Sequence, residues 1–87
     1  MSERHVKVES SVGLHARPAA EFVKLAAQAP MEILVGRFND EPVNAKSILA
    51  VLGLDARHGE QLRIFAIGEG ADEVLDGLAT LLSEPNG

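Results

Sequence analysis

The stretch GLHARPAAEFV, residues 13–23, sets a histidine, an arginine and a proline directly before an amphipathic helical pattern. After the proline, apolar residues recur at positions 19, 22, 23 and 26, which is the spacing of one helix face. Proline is tolerated in the first turn of a helix, because its missing N–H would have no helical partner there. We therefore expect a helix that begins at Pro18, ends before Pro30 and carries His15 at its N-terminal end.

The N-terminal end of such a helix favours particular chemistry. Its free backbone N–H groups and partial positive charge disfavour a protonated imidazole and attract phosphate. Arg17 adds a guanidinium, and Gly13 would let the backbone approach a ligand closely. A lone histidine at a helix start is more often a capping or surface residue, so the prediction rests on the whole combination. That combination indicates that His15 is a neutral nucleophile beside an anion site.

The rest of the chain alternates between strand and helix patterns. Val6 and Val8 alternate with charged residues as in a half-buried strand, and Pro42 restricts its own short strand to a sheet edge. The order β-α-β-β-α-β-α predicts an α+β fold in two layers, with helices on one face of a mostly antiparallel sheet. We expect strands over 4–10, 31–38, 42–45 and 60–67, helices over 18–29, 47–54 and 71–84, and a frayed tail over 85–87.

Length and composition limit the class of protein. The 87 residues predict one domain over 1–87, with little room for a deep active-site cavity. Hydrophobic residues make up 46% of the chain, which is enough for a globular core, and the absence of cysteine is compatible with a reducing compartment. A net charge of −5 argues against nucleic-acid binding, and no segment resembles a signal peptide or a membrane span. We therefore expect a soluble, cytoplasmic domain.

A second unusual stretch is VNAKSILAVLGL, residues 43–54. Ser47 stands where the N-cap of a short helix is expected. Ile48, Leu49 and Leu52 cannot all face inward on so short a helix, so part of their apolar surface stays exposed unless the last helix covers it. Exposed apolar patches on small proteins often mark a partner site.

Together, GLHARPAAEFV and VNAKSILAVLGL resemble the two signature regions of HPr, the histidine-containing phosphocarrier family of the bacterial sugar phosphotransferase system. The resemblance extends to their spacing and to the element order over essentially the whole chain. It implies an open-faced β-sandwich, a four-stranded antiparallel sheet with three helices on one face. It also implies that enzyme I, charged by phosphoenolpyruvate, passes a phosphoryl group to Nδ1 of His15 with assistance from Arg17. His15 would then hand the group to the IIA components of sugar permeases.

The resemblance further implies partner binding and regulation. Ser47 matches the serine that an ATP-dependent HPr kinase/phosphorylase modifies in some bacteria to control carbon catabolite repression. Glu21, one turn along from the active segment, makes the docking region less basic. Six positions of the two signature segments match the family's docking face. They are Ala16, Ala20, Lys24, Ile48, Leu49 and Leu52.

Other functions are compatible with parts of the sequence. A purely regulatory binding module acting through Ser47 would keep its activity in a His15→Ala variant, and a nitrogen-branch relative would share the histidine chemistry with other targets. An RNA-binding split-βαβ domain would need a basic surface and more aromatic residues than Phe38 and Phe65. A self-contained hydrolase with His15 as its general base would need a nucleophile and a pocket, and the sequence indicates neither. We therefore expect a monomeric carrier without a metal or cofactor, which shows one face to several partners.

Overall fold

A computed structural model describes residues 1–85, so Asn86 and Gly87 of the expected tail lie outside the described residues. Within this part of the chain the elements follow the predicted order β-α-β-β-α-β-α. They are β1 (Ser2–Lys7), α1 (Ala16–Ala27), β2 (Ile33–Gly36), β3 (Val43–Asn44), α2 (Ile48–Gly53), β4 (Gln61–Ala66) and α3 (Ala71–Leu82).

The strands form one antiparallel sheet in the order β1-β4-β2-β3. β4 lies between β1 and β2, and its register pairs Leu62 with Val6 and Ile64 with Val35. β3 begins directly after Pro42 and lies at the sheet edge, where a residue without an N–H interrupts no central ladder. The predicted α+β fold with a four-stranded antiparallel sheet is confirmed.

One face of the sheet carries the core. Leu62, Ile64 and Ala66 of β4 are buried, while Arg63 and Phe65 between them are partly exposed on the opposite face. α3 packs on β1 and β4, and α1 packs on α3 and α2, so the helices cover the buried face. The helices complete the core with Ala19, Phe22 and Ala26 of α1, Val51 of α2, and Ala71, Leu75, Leu78 and Leu82 of α3.

Several element boundaries differ from the prediction. α1 begins at Ala16, two residues before the expected start at Pro18. The N–H of Ala19 donates to the carbonyl of His15 at 3.4 Å, so Pro18 occupies a first-turn position whose N–H needs no helical partner. α1 and α3 each end two residues early, because terminal turns are weakly held and poorly marked by sequence. β2 is shorter than expected, because a turn follows it closely.

Candidate functional site

His15 lies at the N-terminal end of α1, as the sequence predicts. It is the N-cap residue, with extended backbone angles of φ −132° and ψ 171°, and its side chain makes no capping hydrogen bond. The side chain is 38% exposed. Ala16, the next residue, has φ 49°, a left-handed conformation that costs an alanine about 1–2 kcal/mol. The imidazole is therefore accessible from solvent beside the free N–H groups of the helix end.

His15 has a carboxylate partner that the sequence analysis missed. Its Nε2 lies 2.9 Å from Oδ1 of Asp55, which is 40 positions along the chain. Nη2 of Arg57 donates to the other carboxylate oxygen, Oδ2, at 3.0 Å. The hydrogen bonds from Arg57 and then from His15 hold the pKa of the Asp55 carboxyl below its usual range. The carboxylate is therefore ionised at neutral pH, and it lies with the imidazole in one open depression.

The loop before α1 and the loop after α2 meet at Gly13. The N–H of Leu14 donates to the carbonyl of Ala56 at 2.8 Å. His15 follows Leu14 and Asp55 precedes Ala56, so this hydrogen bond holds His15 and Asp55 near each other. Gly13 has φ 71°, and a Cβ there would lie 2.5 Å from that carbonyl oxygen. Only glycine fits this position without strain. The prediction that Gly13 lets the backbone approach a ligand is wrong, because the close approach at Gly13 is to the second loop.

An ion pair fastens the loop that carries Asp55 to the end of β2. Arg37 donates from Nε and Nη2 to the two carboxylate oxygens of Glu60 at 2.7 and 3.0 Å, and from Nη2 to the carbonyl of Asp55 at 3.3 Å. Glu60 also accepts the N–H of Arg57 at 2.6 Å. The hydrogen bond between Arg37 and Glu60 is the main cause that lowers the pKa of the carboxyl and raises the pKa of the guanidinium. Such a two-bond pair restricts the loop more tightly than a single contact.

Arg17 lies in the first turn of α1, where its guanidinium pairs with a neighbour on the helix. Its Nε lies 3.2 Å from Oε1 of Glu21, one turn along, and its side chain is 73% exposed. Exposed pairs at this spacing contribute only about 0.3–0.5 kcal/mol, so the guanidinium can leave Glu21 for an anion at low cost. The expected assistance by Arg17 stays a prediction.

The second signature segment leaves an apolar patch exposed, as predicted. Ile48 is 40% exposed, Leu49 is 80% exposed and Leu52 is 36% exposed. The alternative that the last helix covers this patch is wrong, because α2 packs on α1 and β3. All the positions expected on the docking face are exposed, and they lie on α1 and α2, which contact each other. These positions are Ala16, Ala20, Lys24, Ile48, Leu49 and Leu52.

Ser47 is the N-cap of α2, as predicted. Its backbone is extended, and its hydroxyl oxygen accepts the N–H of Ala50 at 3.2 Å. This is the bond that a capping serine makes to the third residue of a helix. The side chain is half-buried rather than enclosed, so the serine both begins the helix and remains accessible.

Ser47→Ala is expected to lower the free energy of unfolding by about 1 kcal/mol, because it removes the side-chain acceptor at the start of α2. Ser47→Asn is the matched control, since asparagine caps as well as serine does. Urea denaturation of the three proteins measures the difference. Equal stability of the serine and alanine proteins would show that the cap contributes nothing.

Two kinds of feature are absent from residues 1–85. No helix in this range is both long and apolar enough to cross a bilayer. Across the same residues, histidine and carboxylate side chains do not gather in groups of three that could hold a metal ion.

The family described as "PTS HPr component phosphorylation site" matches residues 2–84, almost the whole chain. The chain belongs to the HPr family. A "Phosphocarrier protein HPr" of Streptomyces coelicolor is 44% identical to it over 97% of this chain and 90% of that protein. The predicted family is confirmed, and with it the identity of the chain as an HPr phosphocarrier of the phosphotransferase system.

Solved HPr structures share the fold. The crystal structure of HPr-C-His from Thermoanaerobacter tengcongensis matches with a TM-score of 0.88 and 35% identity, over 94% of this chain and 91% of that chain. This match confirms the predicted HPr-like open-faced β-sandwich. An HPr dimer from the same organism matches with a TM-score of 0.71 and 34% identity, over 93% of this chain and 92% of that chain. The expected monomer therefore stays a prediction.

Proposed function

We propose that this HPr accepts a phosphoryl group from enzyme I on Nδ1 of His15 and passes it to a histidine of the IIA components of sugar permeases. It acts in the cytoplasm as a monomeric covalent relay, one domain over residues 1–87, and has no reaction of its own. In this way it supports sugar uptake and, through Ser47, carbon regulation.

The observation that carries this proposal is the accessible imidazole of His15 at the N-terminal end of α1. Its contact with Asp55 uses Nε2, so Nδ1 is the nitrogen outside that contact. The free N–H groups of the helix end favour a phosphoryl dianion next to the ring. Arg17, on the same turn and held only by an exposed ion pair, supplies a mobile positive charge for that dianion.

The exposed patch of α2 supports a carrier with several partners. Every partner must reach the same nitrogen, so all of them must use the surface around His15. Leu49 offers an apolar centre, and Lys24 on the neighbouring helix offers charge at the edge, which is the usual arrangement of a transient interface. Phosphorylation of Ser47 by an HPr kinase/phosphorylase would add about two negative charges beside the patch and repel a partner with acidic groups.

The test is phosphoryl transfer with the full chain. Incubation with phosphoenolpyruvate, Mg²⁺ and a bacterial enzyme I should give an acid-labile phosphate, which mass spectrometry and phosphorus NMR should assign to Nδ1 of His15. Adding a sugar-permease IIA domain should remove it. No transfer, or phosphate on another residue, would reject the proposal. Discharge only to a nitrogen-branch IIA protein would replace sugar uptake by the nitrogen-branch alternative.

A further inference from the structure

The hydrogen bond between His15 and Asp55 has a defined donor and a defined acceptor. The Asp55 carboxylate, which also accepts from Arg57, is ionised at neutral pH. An ionised carboxylate only accepts hydrogen bonds, so the hydrogen in the 2.9 Å contact belongs to Nε2 of His15. A neutral imidazole has one ring hydrogen, and the lone pair is then on Nδ1.

We propose that Asp55 is a positioning residue that holds His15 in the tautomer with hydrogen on Nε2, so that Nδ1 is the nucleophilic nitrogen. The inference rests on the proposed function, because it explains how the acceptor nitrogen of that function is selected. Asp55 contacts Nε2 and does not contact the reacting nitrogen, so it acts through the ring of His15.

The same contact serves the phosphoryl transfer itself. The Nδ1 lone pair forms the new nitrogen–phosphorus bond, while the donor's bond to phosphorus breaks and its electron pair stays on the donor. Nε2 keeps its hydrogen, so the ring becomes a cation that faces the carboxylate of Asp55. In the onward step the nitrogen–phosphorus electron pair returns to the ring, which leaves as neutral imidazole. Asp55 thus stabilises the charged ring without exchanging a proton.

Asp55 is held in position by contacts that do not involve His15. Its backbone has φ 48°, a left-handed conformation that aspartate adopts more readily than most residues. Its carbonyl accepts from Arg37, and the next residue, Ala56, accepts the N–H of Leu14. The carboxylate is therefore presented to the imidazole by a fastened loop, which is what a positioning residue needs.

The direct test is the tautomer of His15 in the unphosphorylated, isotope-labelled protein, read by nitrogen NMR at a pH where the ring is neutral. The native protein should carry its ring hydrogen on Nε2. Asp55→Gly removes the acceptor and suits the left-handed backbone, and it should give a mixture of both tautomers. Asp55→Asn keeps an oxygen acceptor and should restore the single tautomer.

Transfer kinetics provide the second measurement. Asp55→Gly should slow phosphorylation by enzyme I about tenfold, as expected for loss of a group that orients a reacting imidazole. Asp55→Asn should fall between that variant and the native protein, because it keeps the acceptor and loses the charge. Asp72→Asn, which removes one carboxylate on α3 that pairs with Arg4, controls for the change in net charge and should transfer at the native rate.

The two proposals fail in different ways. A native His15 with its hydrogen on Nδ1, or an Asp55→Gly variant with an unchanged tautomer, would overturn the role of Asp55 even if transfer proceeds normally. An unchanged transfer rate in Asp55→Gly would do the same. Absence of phosphate on native His15 would overturn the proposed function instead, and the NMR comparison, which needs no phosphate donor, would still decide the tautomer.

Discussion

His15→Ala is expected to reduce labelling by phosphoenolpyruvate and enzyme I from about one phosphoryl group per chain to background. The imidazole of His15 is the proposed nucleophile. His58 lines the same depression but lies away from the N-terminal end of α1, so it should not take over the labelling. The fold should persist, because the His15 side chain caps nothing and is partly exposed. The free energy of unfolding should therefore change by less than about 0.5 kcal/mol, measured by urea denaturation beside the labelling.

The other two histidines supply matched controls. His5 lies on β1, where its Nε2 contacts Glu3, and His58 lies 4.0 Å from a carboxylate oxygen of Glu9. His5→Ala and His58→Ala should both be labelled fully. Acid-labile phosphate on His15→Ala would contradict the assignment of the acceptor. A His15→Ala protein that keeps the biological activity, while Ser47→Ala loses it, would identify a purely regulatory module.

Much of the fold could be predicted because its signals are local. The alternation around Val6 in β1 and Leu62 in β4 reflects one buried sheet face, and the apolar spacing around Phe22 reflects one buried helix face. Boundaries were less accurate, since the first turn of α1 has few intrahelical bonds and tolerates Pro18 within it. The edge position of β3 was predictable because Pro42 cannot donate to a ladder.

The residues of the candidate site also differ in how well the sequence predicts them. The places of His15 and Ser47 at helix starts could be predicted, because each precedes a helical pattern in the sequence. Asp55 could not, because its role arises only when the loop after α2 meets the loop before α1. The sequence indicated that a glycine is needed at position 13, but the reason predicted for it was wrong. The backbone of the neighbouring loop, and not a ligand, fills the space beside Gly13. Contacts between distant loops leave no periodic pattern in a single sequence.

Gly13→Ala is expected to lower the free energy of unfolding by about 3 kcal/mol, because it combines left-handed strain with a backbone clash. The added Cβ would lie 2.5 Å from the carbonyl oxygen of Ala56, which is too close for a non-bonded carbon atom. For a domain of this size, such a loss corresponds to a fall in Tm of about 12–24 °C. Relief of the clash must separate the two loops, so the contact of His15 with Asp55 should lengthen and phosphoryl transfer should slow.

Two other glycines separate the causes. Gly59 has φ 90° and nothing within 4 Å of an added Cβ, so Gly59→Ala measures strain without a clash and should cost about 1–2 kcal/mol. Gly53 ends α2 with equally open space, so Gly53→Ala should be neutral or stabilising by up to about 1 kcal/mol. If Gly13→Ala costs no more than Gly59→Ala, the loops are not in tight contact. If the Gly13→Ala protein is unstable yet transfers phosphate at the native rate after correction for the folded fraction, the contact between the two loops supports the fold and does not position His15.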